Sequence, residues 1–446
     1  MSYSSTDSQV LRSDSESTIA HQDSIRTRWS SSPLSSVPSG AQSPLRHHRR
    51  ALSNGPREVI ETLNAITLYD QDHNGVQTRR VNQYIIKKEI GSGSFGSVYE
   101  AEDHTGKKFA IKEFSKSQLR KRARSNILRR AKGPGRRLPG RQHQRSVSDI
   151  HDDEEGGNAL NLIKEEIAIM KKLDHPNVVH LFEVLDVPDD DSLYMVVEMC
   201  SKGVVMKVGY DTQAEPYPEE QCRVWFRDLI LGIEYLHAQG IIHRDIKPDN
   251  LLLTDDDCLK IGDFGVSEMF KSDSKMETSK SSGSPAFLPP ELCQAGHGSI
   301  SGTAADIWSM GITLYCLLFG RLPYANYNLF ELYKEICEAD INLPDEMNPS
   351  LRDLLTRLLE RDPNNRIRMD ELREHPWVTN NGEDCLLPVE ENTAQVALPT
   401  KEEIESSITL SLQQILTVVC FILTSLLIPV LSASAPRLKP TTSSGD

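Results

Sequence analysis

The spacing of apolar and polar positions divides the chain into stretches of different texture. From Tyr84 onward, short β-type runs over Tyr84–Ile90, Ser97–Ala101 and Lys108–Glu113 alternate with glycines and polar turns, the punctuation of a small antiparallel sheet. The period then changes: Leu162, Ile163, Ile167, Ile169 and Met170 recur at helical spacing within residues 158–172. Leu193–Met199 reads as a buried strand. After Pro218 the longer apolar repeats predict helices over Glu219–Ala238, Gly302–Phe319, Leu329–Cys337 and Leu351–Leu359. The pattern predicts an α+β chain with a small β-rich lobe carrying one main helix and a larger helical lobe, and no internal repeat.

Other stretches lack such periodicity. Fifteen of the first 50 residues are serine, a composition that buries too little surface to offset the entropy of ordering, so residues 1–80 are expected to be a disordered tail. Ser32-Pro33 and Ser43-Pro44 read either as proline-directed phosphorylation sites or as plain linker. Asp70, Asp72, Asn74 and Gly75 copy the first half of a calcium loop, but Val81 stands where the bidentate Glu belongs, and calcium binding is not expected. Residues 116–157 form a charged insert: Arg120–Arg145 holds 11 Lys/Arg and no acid, and Asp152, Asp153, Glu154 and Glu155 follow it. Residues 379–405 read as an acidic linker. Residues 406–435 carry no charge, and Ile408–Leu431 is 24 residues rich in Ile, Leu and Val, long enough at 1.5 Å per residue to cross a ~30 Å hydrocarbon core. Ser411, Gln413, Gln414, Thr417 and Pro429 dilute that signal, so two readings stand: a C-terminal membrane anchor, or an alternatively spliced or misassigned end. Residues 436–446 are a polar end.

Composition sharpens this picture. The 446 residues carry 50 Lys+Arg against 64 Asp+Glu, a net charge of −14. Setting the +11 of Arg120–Arg145 against that total leaves −25 for the remainder, so the insert is an isolated basic island. Such a balance argues against nucleic-acid binding by the whole chain, and a mean hydropathy of −0.42 excludes a multi-span membrane protein. The eight cysteines stand singly with no Cys-x-x-Cys pair, and the N-terminus lacks the basic and apolar regions of a secretory leader. A cytoplasmic protein is expected, tethered to a membrane only if the tail is an anchor.

The candidate chemistry begins at Gly91-Ser92-Gly93-Ser94-Phe95-Gly96-Ser97-Val98, a glycine-rich turn between two strands. Glycines allow close backbone approach to phosphate oxygens, although a purely structural turn has the same composition. A strand follows rather than a helix, unlike a dinucleotide-binding turn. Phe109-Ala110-Ile111-Lys112 puts one Lys among apolar residues, where it could equally snorkel to the surface. Further on come His243-Arg244-Asp245-Ile246-Lys247-Pro248-Asp249-Asn250 and Asp263-Phe264-Gly265.

With these residues the sequence resembles a eukaryotic protein kinase, because the signature elements occur in order over about Tyr84–Val378. Pro289-Pro290-Glu291, Asp306-Ile307-Trp308, Arg366 and His375-Pro376-Trp377 extend the resemblance. Pro289 replaces the usual Ala, and the stretch from Lys112 to Glu166 is unusually long. The resemblance implies a bilobal kinase fold over 84–378 that uses ATP and Mg²⁺. It implies that Gly91, Ser92, Gly93, Ser94, Phe95, Gly96, Val98, Ala110, Glu198 and Cys200 line the nucleotide site. Lys112 would hold the α/β-phosphates, oriented by Glu166, which lies ten residues before Pro176; Glu165 is turned about 100° away on a helix. Asn250 and Asp263 would hold Mg²⁺, Asp245 would accept the substrate hydroxyl proton, and Lys247 would neutralise the γ-phosphate in a Ser/Thr-type context. Asp306 would hold the catalytic loop, and Glu291 with Arg366 would form a structural ion pair.

Lys164–Val179, Leu193–Glu198, Gly232–His237 and Ser284–Pro289 resemble the calcium/calmodulin-dependent protein kinase kinases and the fungal and plant kinases that activate AMP-activated-type kinases. That resemblance implies protein substrates that are themselves kinases, phosphorylated on the activation loop, with the basic insert as docking element. A nuclear-import or polyanion patch is the other reading of the insert. Ser281 matches the usual activation-loop phosphosite, with Arg244 as the partner of its phosphate, and Ser284 is expected to contact the catalytic residues. After His375 the only basic residue before Arg437 is Lys401, so the basic amphipathic helix of a calmodulin target is not recognisable. A calmodulin partner is therefore doubtful from the sequence. The alternative of another class is a silent kinase-fold scaffold that binds partners through the insert.

Overall fold

A computed structural model of the chain describes residues 59–71, 77–93, 96–119, 159–270, 276–278, 283–294 and 296–393. The small lobe holds β1 (Ile60–Thr62), β2 (Thr67–Gln71), β3 (Gln77–Val81), β4 (Tyr84–Gly93), β5 (Gly96–Glu102), β6 (Lys108–Ser115), α1 (Ala159–Lys172), β7 (Leu181–Asp186) and β8 (Ser192–Glu198). The strands make one sheet in the order β1-β7-β8-β6-β5-β4-β3-β2, antiparallel except where β1 runs parallel to β7. β1 and β2 lie at opposite edges, yet only residues 63–66 join them, so the sheet curls until its edges meet. The seam is hydrogen-bonded: the Ala65 N–H donates to the Asp186 carbonyl at 2.9 Å, and the Ile66 N–H donates to Asn82 Oδ1 at 2.8 Å. Buried Glu183 on β7 accepts from Thr62, from Gln83 Nε2 at 2.7 Å and from the Tyr84 hydroxyl at 2.8 Å. The curl encloses Ala65, Val81, Tyr84, Ala101, Phe109, Ile111, Leu185, Tyr194 and Val196, apolar surface whose burial stabilises at about 25 cal/mol per Å².

Among the described residues the sheet includes three strands, β1, β2 and β3, ahead of Tyr84, where the end of the expected 1–80 tail stands. Their polar texture misleads because Arg79 on β3 turns back into the lobe, donating from Nη1 to Glu113 at 3.0 Å and packing over the Tyr99 and Tyr194 rings. Asn74-Gly75, read above as part of a failed calcium loop, lies outside the described residues. Residues 1–58, with the two Ser-Pro pairs, lie outside the described residues. So do residues 120–158 of the insert, whose entry is fixed: Asp191 accepts from the Ser115 and Ser117 hydroxyls at 2.6 Å, and Leu119 is buried.

The large lobe comprises β9 (Gly203–Val204), α2 (Glu219–Ala238), β10 (Ile241–Ile242), β11 (Leu251–Leu253), β12 (Leu259–Ile261), β13 (Glu268–Met269), β14 (Glu277–Thr278), α3 (Pro290–Cys293), β15 (Ile300–Ser301), α4 (Gly302–Phe319), α5 (Leu329–Glu338), α6 (Pro349–Leu358), α7 (Met369–Arg373) and α8 (Val389–Asn392). Helix starts follow their caps: the side chains of Ser301, Asn328 and Asn348 accept backbone N–H groups at the heads of α4, α5 and α6. α4 is long and apolar enough to cross a membrane, but its Trp308, Met310, Ile312 and Leu314 are wholly buried in the lobe, which is why it reads as apolar. The expected acidic linker is also revised. Through residue 393 it folds onto the lobe, with Thr379, Leu386, Leu387 and Asn392 buried; of its acids, Asp384 pairs with Arg223 and Arg227, while Glu383, Glu390 and Glu391 are exposed. Residues 394–446, including Ile408–Leu431, lie outside the described residues.

Candidate active site

The glycine-rich turn joins β4 to β5, with Gly93 paired to Gly96; Ser94 and Phe95 lie outside the described residues. Gly91 and Ser92 are exposed at the end of β4. Gly96 answers a close approach: a Cβ there would stand 1.6 Å from the Glu113 carbonyl oxygen of β6, so no other residue fits without parting the strands. Val98 pairs with Lys112 across β5 and β6, and buried Ala110 pairs with Val197 on β8. At the far end of β8, the Glu198 carboxylate receives Lys260 Nζ at 2.8 Å. Cys200 is buried, which pushes its thiol up to about 12 and keeps it neutral.

Lys112 does not snorkel. Its Nζ donates to Glu166 Oε1 at 2.8 Å and to Asp263 Oδ1 at 3.2 Å, joining β6, α1 and the segment after β12. Glu166 is 3% exposed. Burial works against the charge on Lys112, but the two carboxylates outweigh it and hold the ammonium above the ordinary lysine value. Asp263 remains 48% exposed; burial opposes its charge, Lys112 favours it, and the net effect holds its carboxyl below the usual aspartate range.

The second constellation gathers on the loop between β10 and β11. Lys247 Nζ and Asn250 Nδ2 each donate to Asp245 Oδ2 at 2.9 Å, and the Ser284 N–H donates to Asp245 Oδ1 at 2.9 Å. Lys247 Nζ also reaches Ser284 Oγ at 2.7 Å. Burial alone would raise the Asp245 carboxyl, but Lys247 and Ser284 reverse the sign and hold it low. Asn250 Nδ2 also donates to the Asp245 carbonyl at 2.8 Å, which commits its N–H groups to the protein and leaves the amide oxygen as the group it could offer a cation. With the Asp263 carboxylate that makes a set of hard oxygens, which fits Mg²⁺.

The loop is held from beneath by Asp306, wholly buried in α4: Oδ1 accepts the Arg244 N–H at 2.8 Å, and Oδ2 accepts the His243 N–H at 3.0 Å and lies 2.8 Å from His237 Nε2. Arg244 and Asp263 both have positive φ, 66° and 59°, conformations that cost a non-glycine residue of order 1 kcal/mol and concentrate at functional sites. His243, whose role sequence reading did not assign, lies with Nε2 3.0 Å from the Gly262 carbonyl and so ties the catalytic loop to the residue before Asp263. Gly283 was also not singled out. With φ 118° it passes so close that a Cβ would meet the Arg244 carbonyl oxygen at 2.5 Å, which brings Ser284 to Asp245. Arg244, expected to await a phosphate on Ser281, instead pairs with Glu268 at 3.2 Å, and Thr278 donates to the same carboxylate; Ser281 lies outside the described residues. Arg366 meets Glu291 in a bidentate pair at 2.8 and 3.0 Å.

The sequence is similar to known protein kinases. The protein kinase domain family matches residues 145–378, leaving the glycine-rich turn and Lys112 ahead of the matched span. The chain is 52% identical over 391 residues to calcium/calmodulin-dependent protein kinase kinase cmkC of Emericella nidulans, covering 84% of this chain and 73% of the relative. It is 39% identical over 333 residues to a calcium/calmodulin-dependent protein kinase kinase of Caenorhabditis elegans, covering 74% of this chain and 58% of that protein. It is 39% identical over 321 residues to the serine/threonine-protein kinase GRIK2 of Arabidopsis thaliana, covering 71% and 70%. The chain belongs to the protein kinase family and is a serine/threonine protein kinase, similar to the calcium/calmodulin-dependent protein kinase kinases.

Proposed function

We propose that this kinase uses Mg-ATP to phosphorylate the activation loop of other protein kinases. The observation that carries the catalytic part is that Lys112 is joined to Glu166 and Asp263, that Asp245 is joined to Lys247 and Asn250, and that His243 ties the loop of the second set to Gly262, the residue before Asp263. Gly91, Gly93 and Gly96 would let the backbone approach the phosphates closely, Val98, Ala110, Glu198 and Cys200 would border the base, and Lys112, oriented by Glu166, would bind the α/β-phosphates. Asn250 and Asp263 would hold Mg²⁺, which would neutralise phosphate charge. Asp245 orients the acceptor hydroxyl and takes its proton as that oxygen bonds to the γ-phosphorus and the bond to the β,γ-bridging oxygen breaks. Lys247 neutralises charge on the transferred group.

The client class is supported by the kinase-kinase names of the relatives and by the basic insert, which we read as a docking element for a folded kinase. The kinase unit is read as residues 59–393, with the insert as an appendage. The silent-scaffold reading is disfavoured by the intact set of charged residues. Calcium/calmodulin control is not carried over, because the acidic stretch after His375 offers no basic helix. The test mixes the full chain with Mg-ATP and a catalytically dead client kinase. Transfer to the client's activation loop is expected, abolished by Asp245→Asn. Deleting Arg120–Arg145 should cripple transfer to the folded client and spare a short peptide. Equal loss on both would defeat the docking role, and no transfer by the unmodified chain would favour the scaffold.

A further inference from the structure

Beyond the matched family span, α8 places one polar side chain deep in the protein. Asn392 is 1% exposed, although it lies almost at the end of the described residues. Its Nδ2 donates to the Leu231 carbonyl at 3.0 Å and to Glu234 Oε2 at 2.9 Å, both on α2. Its Oδ1 lies 2.9 Å from His175 Nε2. The His175 ring accepts the Asn177 N–H at Nδ1, 3.0 Å away, which leaves Nε2 as the donor and fixes the direction of the bond to Asn392. The ring also stacks on Tyr235 at 4.6 Å between centroids. A buried amide with every group matched specifies one geometry, because any displacement leaves a polar atom unpaired at a cost of about 1–3 kcal/mol.

The turn that His175 belongs to has two outlets. On one side it ends α1, the helix of Glu166: Leu173 and the Asp174 N–H, which donates to the Tyr235 hydroxyl at 3.1 Å, lead directly into His175. On the other, Asn177 is fastened to β12, since the Ile261 N–H donates to the Asn177 carbonyl at 2.9 Å and Asn177 Nδ2 donates to the Leu259 carbonyl at 3.0 Å. Two residues after Ile261 comes Asp263. The two carboxylates that grip Lys112 are thus carried on elements hung from one turn.

We propose that Asn392 is a positioning residue for phosphoryl transfer: through His175 it fixes the turn from which the helix of Glu166 and the strand leading to Asp263 are both held. The C-terminal segment 379–393 is then part of the catalytic body. The inference rests on the roles proposed above for Glu166 and Asp263, but one readout does not depend on them.

The experiment compares Asn392→Ala with Leu387→Ala in the full chain; Leu387 is buried in the same segment and no hydrogen bond joins its side chain to His175. Both variants should melt lower. Only Asn392→Ala should raise amide exchange at residues 173–179 and 259–263 in the nucleotide-free protein, by about tenfold. Only it should lower kcat/KM for ATP, again by about tenfold at a temperature where it remains folded. Should the alanine variant not fold, Asn392→Ser carries the same test. Exchange and ATP kinetics unchanged in the Asn392 variant, or changed equally by Leu387→Ala, would overturn the proposal. Raised exchange with unchanged ATP kinetics would overturn the positioning role and count against the assignments of Glu166 and Asp263, leaving the mechanical link intact.

Discussion

Asp245 has to be ionised to accept a proton, yet it lies where burial alone would keep it neutral. Lys247, Asn250 and the Ser284 N–H supply the compensation, and the net direction is downward from the ordinary aspartate value, about 3.9. A group with a depressed pKa is ionised at every pH above that range, so Asp245 should put no acid limb into kcat between neutral pH and about pH 5. Lys247→Met removes the first-ranked counterweight to burial. The Asp245 carboxyl should then rise, an acid limb should enter the kcat profile at higher pH than in the unmodified kinase, and kcat at neutral pH should fall by about 10²-fold from the lost charge. A pH–rate series on both proteins checks this; a profile of unchanged shape would show that Lys247 does not tune Asp245. The grouping of Asp245, Lys247 and Asn250 was legible in the sequence because the three lie within six residues and their contacts are local. The parts played by Gly283 and His243 were not, since the first is an approach between backbones and the second a ring contact to a carbonyl 19 residues on, which no residue type announces by itself.

The strands and helices differ in how well the pattern declares them. β4, β5, β6, β8, α1, α2, α4, α5 and α6 fall where the apolar spacing predicts, within a few residues, because each buries one face against a core. β1 has three residues and only one hydrophobic among them, and its partner β7 is some 120 positions away; nothing local could reveal it. β3, Gln77-Thr78-Arg79-Arg80-Val81, reads as part of the polar tail because Val81 is its only apolar residue and Arg79, on the same face, is an arginine. That arginine locks the added hairpin to the kinase sheet: Arg79 forks onto Glu113 and also meets the Tyr194 hydroxyl. Arg79→Ala leaves Glu113 half-buried beside Ser192 with its strongest donor gone, and a loss of roughly 1–3 kcal/mol is expected. Urea denaturation followed by tryptophan fluorescence measures it. A midpoint unchanged at the same slope would mean that the hairpin is only laid against the lobe.

At the scale of the whole molecule, the boundary of the folded unit is set by a charge. Arg227 on α2 is 0% exposed, and its guanidinium is satisfied almost wholly from beyond residue 377: Nη1 donates to the Val378 carbonyl at 2.6 Å and also reaches the Asp384 carbonyl, and Nη2 donates to Asp384 Oδ1 at 2.9 Å. The hydrophobic pattern could not show this, because residues 379–393 are mostly polar and acidic and what meets Arg227 is one carboxylate and backbone carbonyls. A guanidinium enclosed without its carboxylate is expensive, and breaking a buried pair from one side costs roughly 3–5 kcal/mol. Asp384→Ala should therefore destabilise the kinase by about that amount, and the neutral Arg227→Met Asp384→Ala double variant should recover a large part of it, since the burden is the stranded charge and not the missing contact. A chain cut after Val378 exposes the floor on which Leu386 and Leu387 pack and should melt far below one cut after Thr393, which keeps all of these contacts. Calorimetry on the four proteins decides it. If the chain cut after Val378 melts with the longer one, or the double variant is no more stable than Asp384→Ala, then Arg227 does not define the end of the catalytic body, and the matched span alone is the folding unit.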